Sequence, residues 1–187
     1  MNKLVIFSGL PGTGKSTLAS RLAHEMRWPL LCIDDVVAHV PENAGDAFWD
    51  SQITALLNLV GTQLELGLNV IVDSVFMGTD RHHAQKLAHK YHARFLPIHV
   101  FVSDEKVWRD RVTRRFNELD NPDVATWERI QQQRQGFREW KPNTALFIDS
   151  LHLVDENFQR VLDFISKDQV DLKPLSEMPL AEGQYRG

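Results

Sequence analysis

The run Gly9-Leu10-Pro11-Gly12-Thr13-Gly14-Lys15-Ser16, with Thr17 behind it, constrains the fold more than any other part of the chain, because it fits G-x-x-x-x-G-K-S. Its flanks matter as much as its letters. Leu4-Val5-Ile6-Phe7-Ser8 before it is a short apolar run of strand formers, and Leu18, Leu22 and Met26 behind it recur at helical spacing. A strand, a glycine-rich loop and a helix in that order aim several backbone amides and the positive end of a helix at one spot. That is an anion site needing no basic patch. The glycines allow a close approach to phosphates. Lys15 is positioned to reach β- and γ-phosphates, and the Ser16 hydroxyl to bind Mg²⁺. At average residue frequencies, four fixed positions arise by accident in fewer than about one such chain in a hundred. The run 9–17 therefore reads as a nucleotide-phosphate cradle, with ATP and Mg²⁺ as the implied cofactors.

Strand and helix signals alternate along the remainder. Pro29-Leu30-Leu31-Cys32-Ile33 predicts a buried strand ending at Asp34-Asp35, followed by a helical turn over 36–40 that stops before Pro41. Phe48, Trp49, Ile53, Leu56, Val60 and Leu64 mark an amphipathic helix over 46–66, closed by Gly67. Asn69-Val70-Ile71-Val72-Asp73-Ser74 predicts a third strand, and Thr79 or Asp80 caps a helix to about residue 91. Pro97 is expected to open a fourth strand over 98–102, and Ser103-Asp104 to start a helix over 106–116. Asn121-Pro122-Asp123 signals another helix, through Trp140. A fifth strand over 145–149 and a closing helix over 157–166 follow, and residues 168–187 are expected to form a loosely attached or disordered tail. The alternation implies an α/β fold: three layers, α/β/α, around a five-stranded, mainly parallel sheet, forming one domain over 1–167 with a helical lid within about 104–140.

Composition narrows the functional classes. A net charge of −4 over 187 residues gives no general pull toward nucleic acid or anionic membrane, and no apolar run reaches the length of a membrane span. No signal peptide is visible, and the single cysteine, Cys32, forms no internal disulfide and reads as a buried, inert thiol, so the expected location is cytoplasmic. Oligomeric state leaves no mark in the sequence.

In a parallel sheet, ligands bind at the C-terminal ends of the strands, which gathers Asp34, Asp35, Asp73 and Asp149 beside the loop. A carboxylate at Asp34 can take the proton of an acceptor hydroxyl or orient it, with Asp35 as its substitute; the competing role for either is a helix N-cap. Asp73 resembles the second carboxylate of a phosphate-loop site, holding Mg²⁺ directly or through water, unless it serves only a turn. Arg111, Arg114 and Arg115 share one helix face. They can fork onto phosphate oxygens, Arg111 and Arg115 above all, or form a solvated face with Asp110 paired to Arg114. His39 can contact substrate or lie on the surface. His82, His83 and His89 lack partners at zinc spacing, and Trp108, Trp127, Trp140 and Phe137 read as packing.

Taken in order, the run 9–17, Ile33-Asp34-Asp35, Val70-Ile71-Val72-Asp73-Ser74-Val75-Phe76-Met77-Gly78, the arginine helix and Leu146-Phe147-Ile148-Asp149 resemble the small P-loop kinases, which include chloramphenicol phosphotransferase, zeta toxins and polynucleotide kinase and carry an AAA-type ATP-binding domain. The resemblance covers the chain to about residue 165. It implies a P-loop NTPase fold and an ATP-dependent phosphotransferase that moves the γ-phosphoryl group to a hydroxyl of a small-molecule acceptor. It also implies Asp34 as base, Ser16 as magnesium ligand and lid arginines within 111–115. A polynucleotide 5′-hydroxyl kinase is the nearest alternative, since a second acid follows Asp34 as in polynucleotide kinases, although the net charge does not favour nucleic acid. A P-loop ATP-binding regulatory protein with only slow ATPase activity is the alternative outside catalysis.

Overall fold

Five apolar runs pair into one sheet whose residues alternate between two covered faces. In the computed structural model, residues 1–37, 45–118, 126–138 and 140–167 are described. His39, the cap signal at 121–123 and the tail over 168–187 lie outside them. The strands are β1 (Lys3–Ser8), β2 (Leu30–Cys32), β3 (Val70–Ser74), β4 (Arg94–Phe101) and β5 (Leu146–Asp149), in the order β2-β3-β1-β4-β5. All four pairings are parallel. The helices are α1 (Lys15–Met26), α2 (Ile33–Val36), α3 (Asp46–Glu65), α4 (Gly78–Lys90), α5 (Glu105–Glu118), α6 (Trp127–Gly136) and α7 (Val154–Ser166).

The period of two sorts the side chains. Val5, Phe7 and Ile71 pack under α1 and α7 with Leu22, Phe158 and Val161. Leu4, Ile6, Val70 and Val72 pack under α3 and α4 with Leu56, Val60 and Ala84. The central strands β1 and β3 are buried on both sides, so each reads as a nearly continuous apolar run. The same alternation decides where polar strand ends point. Asp73 shares parity with Ile71, so its carboxylate faces α1 and meets that helix at its start.

Several boundaries differ from the sequence expectation. β4 begins at Arg94, with Pro97 inside it opposite Ile6. The Arg94 N–H donates to Asn2 O on the β1 side. Alternation therefore turns the Pro97 nitrogen toward β5, which pairs only from Ile98 onward, and no ladder bond is lost. Neither Thr79 nor Asp80 is the N-cap of α4; that position is Met77, whose N–H donates to Asp80 Oδ2 at 2.9 Å from within the first turn. Helix α6 stops at Gly136, short of Trp140, and is capped by Thr126, whose hydroxyl accepts from the Arg129 N–H. Helix α7 starts at Val154, before Asn157, which donates to Asp149 O from inside it.

Beyond α4 the second face is covered by the aromatic segment that follows α6. His99 lies at ring-contact distance from Phe101, Phe137 and Phe147. Trp140 packs on Phe95. Arg81, wholly buried, donates from Nε to Phe76 O and from Nη2 to Arg138 O, with its guanidinium 4.4 Å from the Trp140 ring centroid. A third small core joins α5 and α6 to the glycine loop through Leu10, Trp108, Val112 and Ile130. There Trp108 Nε1 donates to Pro11 O at 2.9 Å and its ring stands edge-on to Trp127.

Two outcomes follow from this packing. Burial, then the nearby Arg81 charge, lowers the His99 pKa from 6.5 to about 4. The unfolded chain thus takes up this proton first as pH falls, and the stability that neutral His99 contributes is lost between pH 6.5 and 4. Lowering the pH from 7 to 4.5 should reduce the unfolding free energy of the wild type by about 2 kcal/mol more than that of His99→Phe; parallel losses would contradict this. Trp108→Phe keeps a ring but removes the donor to Pro11, and should lower stability by roughly 1 kcal/mol in urea unfolding. An unchanged midpoint would show that this bond contributes nothing.

Candidate functional site

The loop between β1 and α1 is built by close approach. A Cβ on Gly9 would lie 2.2 Å from Val100 O, a backbone atom that cannot give way. Gly12 holds φ at +79°, and a Cβ there would lie 2.6 Å from Val112 Cγ2 of α5. Thr13 turns inward, its hydroxyl donating to Leu10 O. Gly14 is the N-cap of α1, with no side-chain cap and no acid in the first turn. The first N–H groups of the helix are therefore left without a side-chain acceptor of their own, the arrangement that binds anions.

Lys15 is only 8% exposed and Asp73 only 2%. Lys15 Nζ stands 3.9 Å from Asp73 Oδ1, too far for a hydrogen bond, and that oxygen has no hydrogen-bond partner. Burial raises the Asp73 pKa, opposed by the Lys15 charge and a hydrogen bond with Ser16. A buried carboxylate oxygen left unsatisfied costs stability. Beside the Ser16 hydroxyl it has the hard oxygen chemistry that suits Mg²⁺, so the residues present fit the metal that the loop implies.

A cleft of about 330 Å³ opens on the β5 side of the loop, lined among others by Lys15, Ser16, Thr17, Arg115, Ser150 and His152. Arg111 and Arg114 also border it, and the three arginines do different things. Arg111 is anchored to the loop after β5, its guanidinium donating to Ser150 Oγ at 2.7 Å and Ser150 O at 3.0 Å. Arg114 pairs with Glu118 at 3.9 Å, one turn onward instead of back toward Asp110. Arg115 is exposed on the cleft, close enough for its charge to act on Asp73.

Asp34 and Asp35 stand across β3 from the loop, both exposed in the first turn of α2. The N-cap of α2 is Cys32, without a side-chain cap, so neither acid takes the capping role. Asp34 lies near enough to raise the Asp73 pKa by charge. Cys32, half-buried, has its Sγ 3.9 Å from Asp73 Oδ2, and burial followed by the Asp73 charge lifts its pKa to about 11. Asp149 is committed elsewhere, accepting from the Ser103 and Leu151 N–H groups. The described residues contain no His/Cys/Asp/Glu cluster fit for a metal, which leaves His82, His83 and His89 without that role. Sequence reasoning missed Ser150 and His152. Ser150 could have been found by extending the strand-end rule one residue past Asp149; Trp108 carried no local sign of its bond to Pro11.

The profile of the AAA domain family matches residues 4–140. No curated protein matches significantly. Among solved structures, a sugar kinase from a Janibacter species shares 17% identity at a TM-score of 0.69, over 88% of this chain and 95% of its own. The Mycobacterium tuberculosis APS kinase in complex with AMPPNP and APS shares 19% at 0.66, over 89% and 98%. Chaetomium thermophilum Kti12 in complex with ADP-AlF3 shares 18% at 0.66, over 88% and 100%. No helix among the described residues is long and apolar enough to cross a membrane. The all-parallel sheet, the glycine loop and the matched profile agree: this chain belongs to the AAA domain family and has the fold of the small P-loop kinases.

Proposed function

We propose that the protein transfers the γ-phosphoryl group of ATP to a hydroxyl of a small-molecule acceptor. One observation carries the reading: the buried Asp73 oxygen that faces Lys15 without a hydrogen-bond partner lies between the cleft on the β5 side and the exposed Asp34 on the β2 side. The nucleoside then occupies the cleft, the phosphates run across the N-terminus of α1, and the γ-phosphate ends near Lys15 and Asp73. The acceptor approaches from β2, about 10 Å from β1 at ordinary strand spacing.

In this reading Asp34 accepts the acceptor's hydroxyl proton as its oxygen bonds to the γ-phosphorus and the bond to the β-bridging oxygen breaks, releasing ADP. Lys15 and Arg115 take up charge on the transferring group, and Arg111 holds the loop after β5 against α5. Ser16 and Asp73 would hold Mg²⁺, which when bound neutralises phosphate charge and orients the chain. The AMPPNP and ADP-AlF3 held by two structural relatives support a nucleotide in the cleft.

Acceptor-stimulated ADP release across hydroxyl metabolites, antibiotics and oligonucleotides tests the reading. Asp34→Asn should cut kcat about 10²–10⁴-fold while leaving the KM for ATP nearly unchanged; stimulation that survives in this variant removes Asp34 from the role of base. Lys15→Ala should abolish both turnover and the rise in Tm that MgATP gives the wild type. Asp73→Asn should raise the Mg²⁺ concentration needed for half-maximal rate at least about tenfold, and an unchanged requirement would take Asp73 out of the metal site.

A further inference from the structure

Charge is segregated along this chain. Residues 28–80 contain no lysine or arginine in 53 positions, although the chain's mean of 21 in 187 would put about six there, and they contain eight carboxylates. That stretch builds β2, α2, α3 and β3, the two strands beyond β1 and the turn on which Asp34 and Asp35 are exposed, while α1 packs on the same strands. The other side of the glycine loop is the reverse. Lys15, Arg111, Arg114 and Arg115 border the cleft there, with Glu118 the one acid among its described lining residues.

Of the cations on neighbouring elements, two are engaged elsewhere. Arg81, the first basic residue after the stretch, is buried and turned onto the carbonyls of Phe76 and Arg138 beneath Trp140. Arg134 of α6 is paired with Glu105 at 3.0 Å. Recognition of a phosphate, sulfate or carboxylate group relies on arginine forks, lysine or uncapped amides. Residues 28–80 supply neither of the first two, and the uncapped amides of α1 belong to the ATP phosphates in the reading above. The carboxylates there act across about 8 Å at physiological ionic strength, repelling anions and concentrating cations.

We propose that the acceptor is an alcohol without any anionic group, and that ammonium-bearing alcohols are preferred over neutral ones. This rests on the kinase reading above and narrows it: the two halves of the site are matched to opposite charges, the polyanionic donor on one side and a neutral or cationic acceptor on the other. Discrimination against anionic alcohols then comes from repulsion and from the missing counter-charge.

The test uses acceptors that differ chiefly in charge: glucosamine, glucose and gluconate, with kanamycin and an unphosphorylated oligonucleotide as larger members. ADP release is measured with the full-length protein, with Lys15→Ala as the blank. Glucosamine or kanamycin should exceed gluconate and the oligonucleotide at least tenfold in kcat/KM, and Asp35→Lys should narrow that ratio or reverse it. An anionic member equal to or better than its neutral and cationic counterparts overturns the charge assignment while leaving the kinase reading intact. If no member stimulates ADP release, the kinase reading fails for this panel, and calorimetric binding to the AMPPNP-loaded protein decides the charge assignment on its own. Tighter binding of kanamycin than of the oligonucleotide, lost in Asp35→Lys, upholds it; equal or reversed affinities overturn it.

Discussion

The ion pair between Lys15 and Asp73 is the constraint to which the rest of this structure conforms. Burying two charges is costly, and their attraction at 3.9 Å offsets that cost only partly. A pair of well-packed apolar side chains would stabilise the fold at least as well. The burial of these two groups at the C-terminal edge of the sheet, with one carboxylate oxygen unsatisfied, therefore points to a site whose missing partner is supplied from outside the protein. The uncapped start of α1 has the same character. Both features are weak in isolation and complementary to a triphosphate with its metal.

Much of this was legible in the sequence because it is local. The glycine loop declares itself through spacing, since its fixed positions serve one turn and one helix start. The strands declared themselves through apolar runs, since a parallel sheet covered on both faces leaves no polar alternation to confuse. Where the reading slipped, a non-local fact decided the outcome. Pro97 looked like a strand opener, yet it is tolerated inside β4 because β5 pairs only beyond it, and no window around residue 97 contains that information. Asp34 and Asp35 each looked able to cap a helix, but α2 begins directly after Cys32, which leaves both acids in the first turn and exposed.

The arginines show the same limit more sharply. Arg111, Arg114 and Arg115 share a helix face and looked equivalent; their partners separate them. Ser150 claims Arg111, Glu118 pairs with Arg114, and Arg115 alone of the three is exposed on the cleft with no ion pair among the described residues. Arg81 gave no sequence signal at all. Its guanidinium connects Phe76, held at a positive φ of 52° just after β3, to the carbonyl of Arg138 beyond α6. It thereby joins the loop beside Asp73 to the segment returning from α6, two parts of the chain more than fifty residues apart.

These contacts bear on how the helical cover over the loop can move. Trp108 is bonded to Pro11, Val112 leaves no room for a Cβ on Gly12, and Arg111 is fastened to Ser150. The first turns of α5 are thus part of the loop's own packing, and swinging them away would break a hydrogen bond and expose the small core around Trp108. Among the described residues, the exposed end of α5, from Thr113 to Glu118, carries no such ties apart from the pair of Arg114 with Glu118. Closure over a bound nucleotide is therefore cheapest at that distal end, where Arg115 stands. Under the kinase reading proposed above, the cations of the site divide the same way: Lys15 and Arg111, held by their partners, can be in place before substrate arrives, while Arg115 on the untied end can follow the phosphoryl group as its charge spreads.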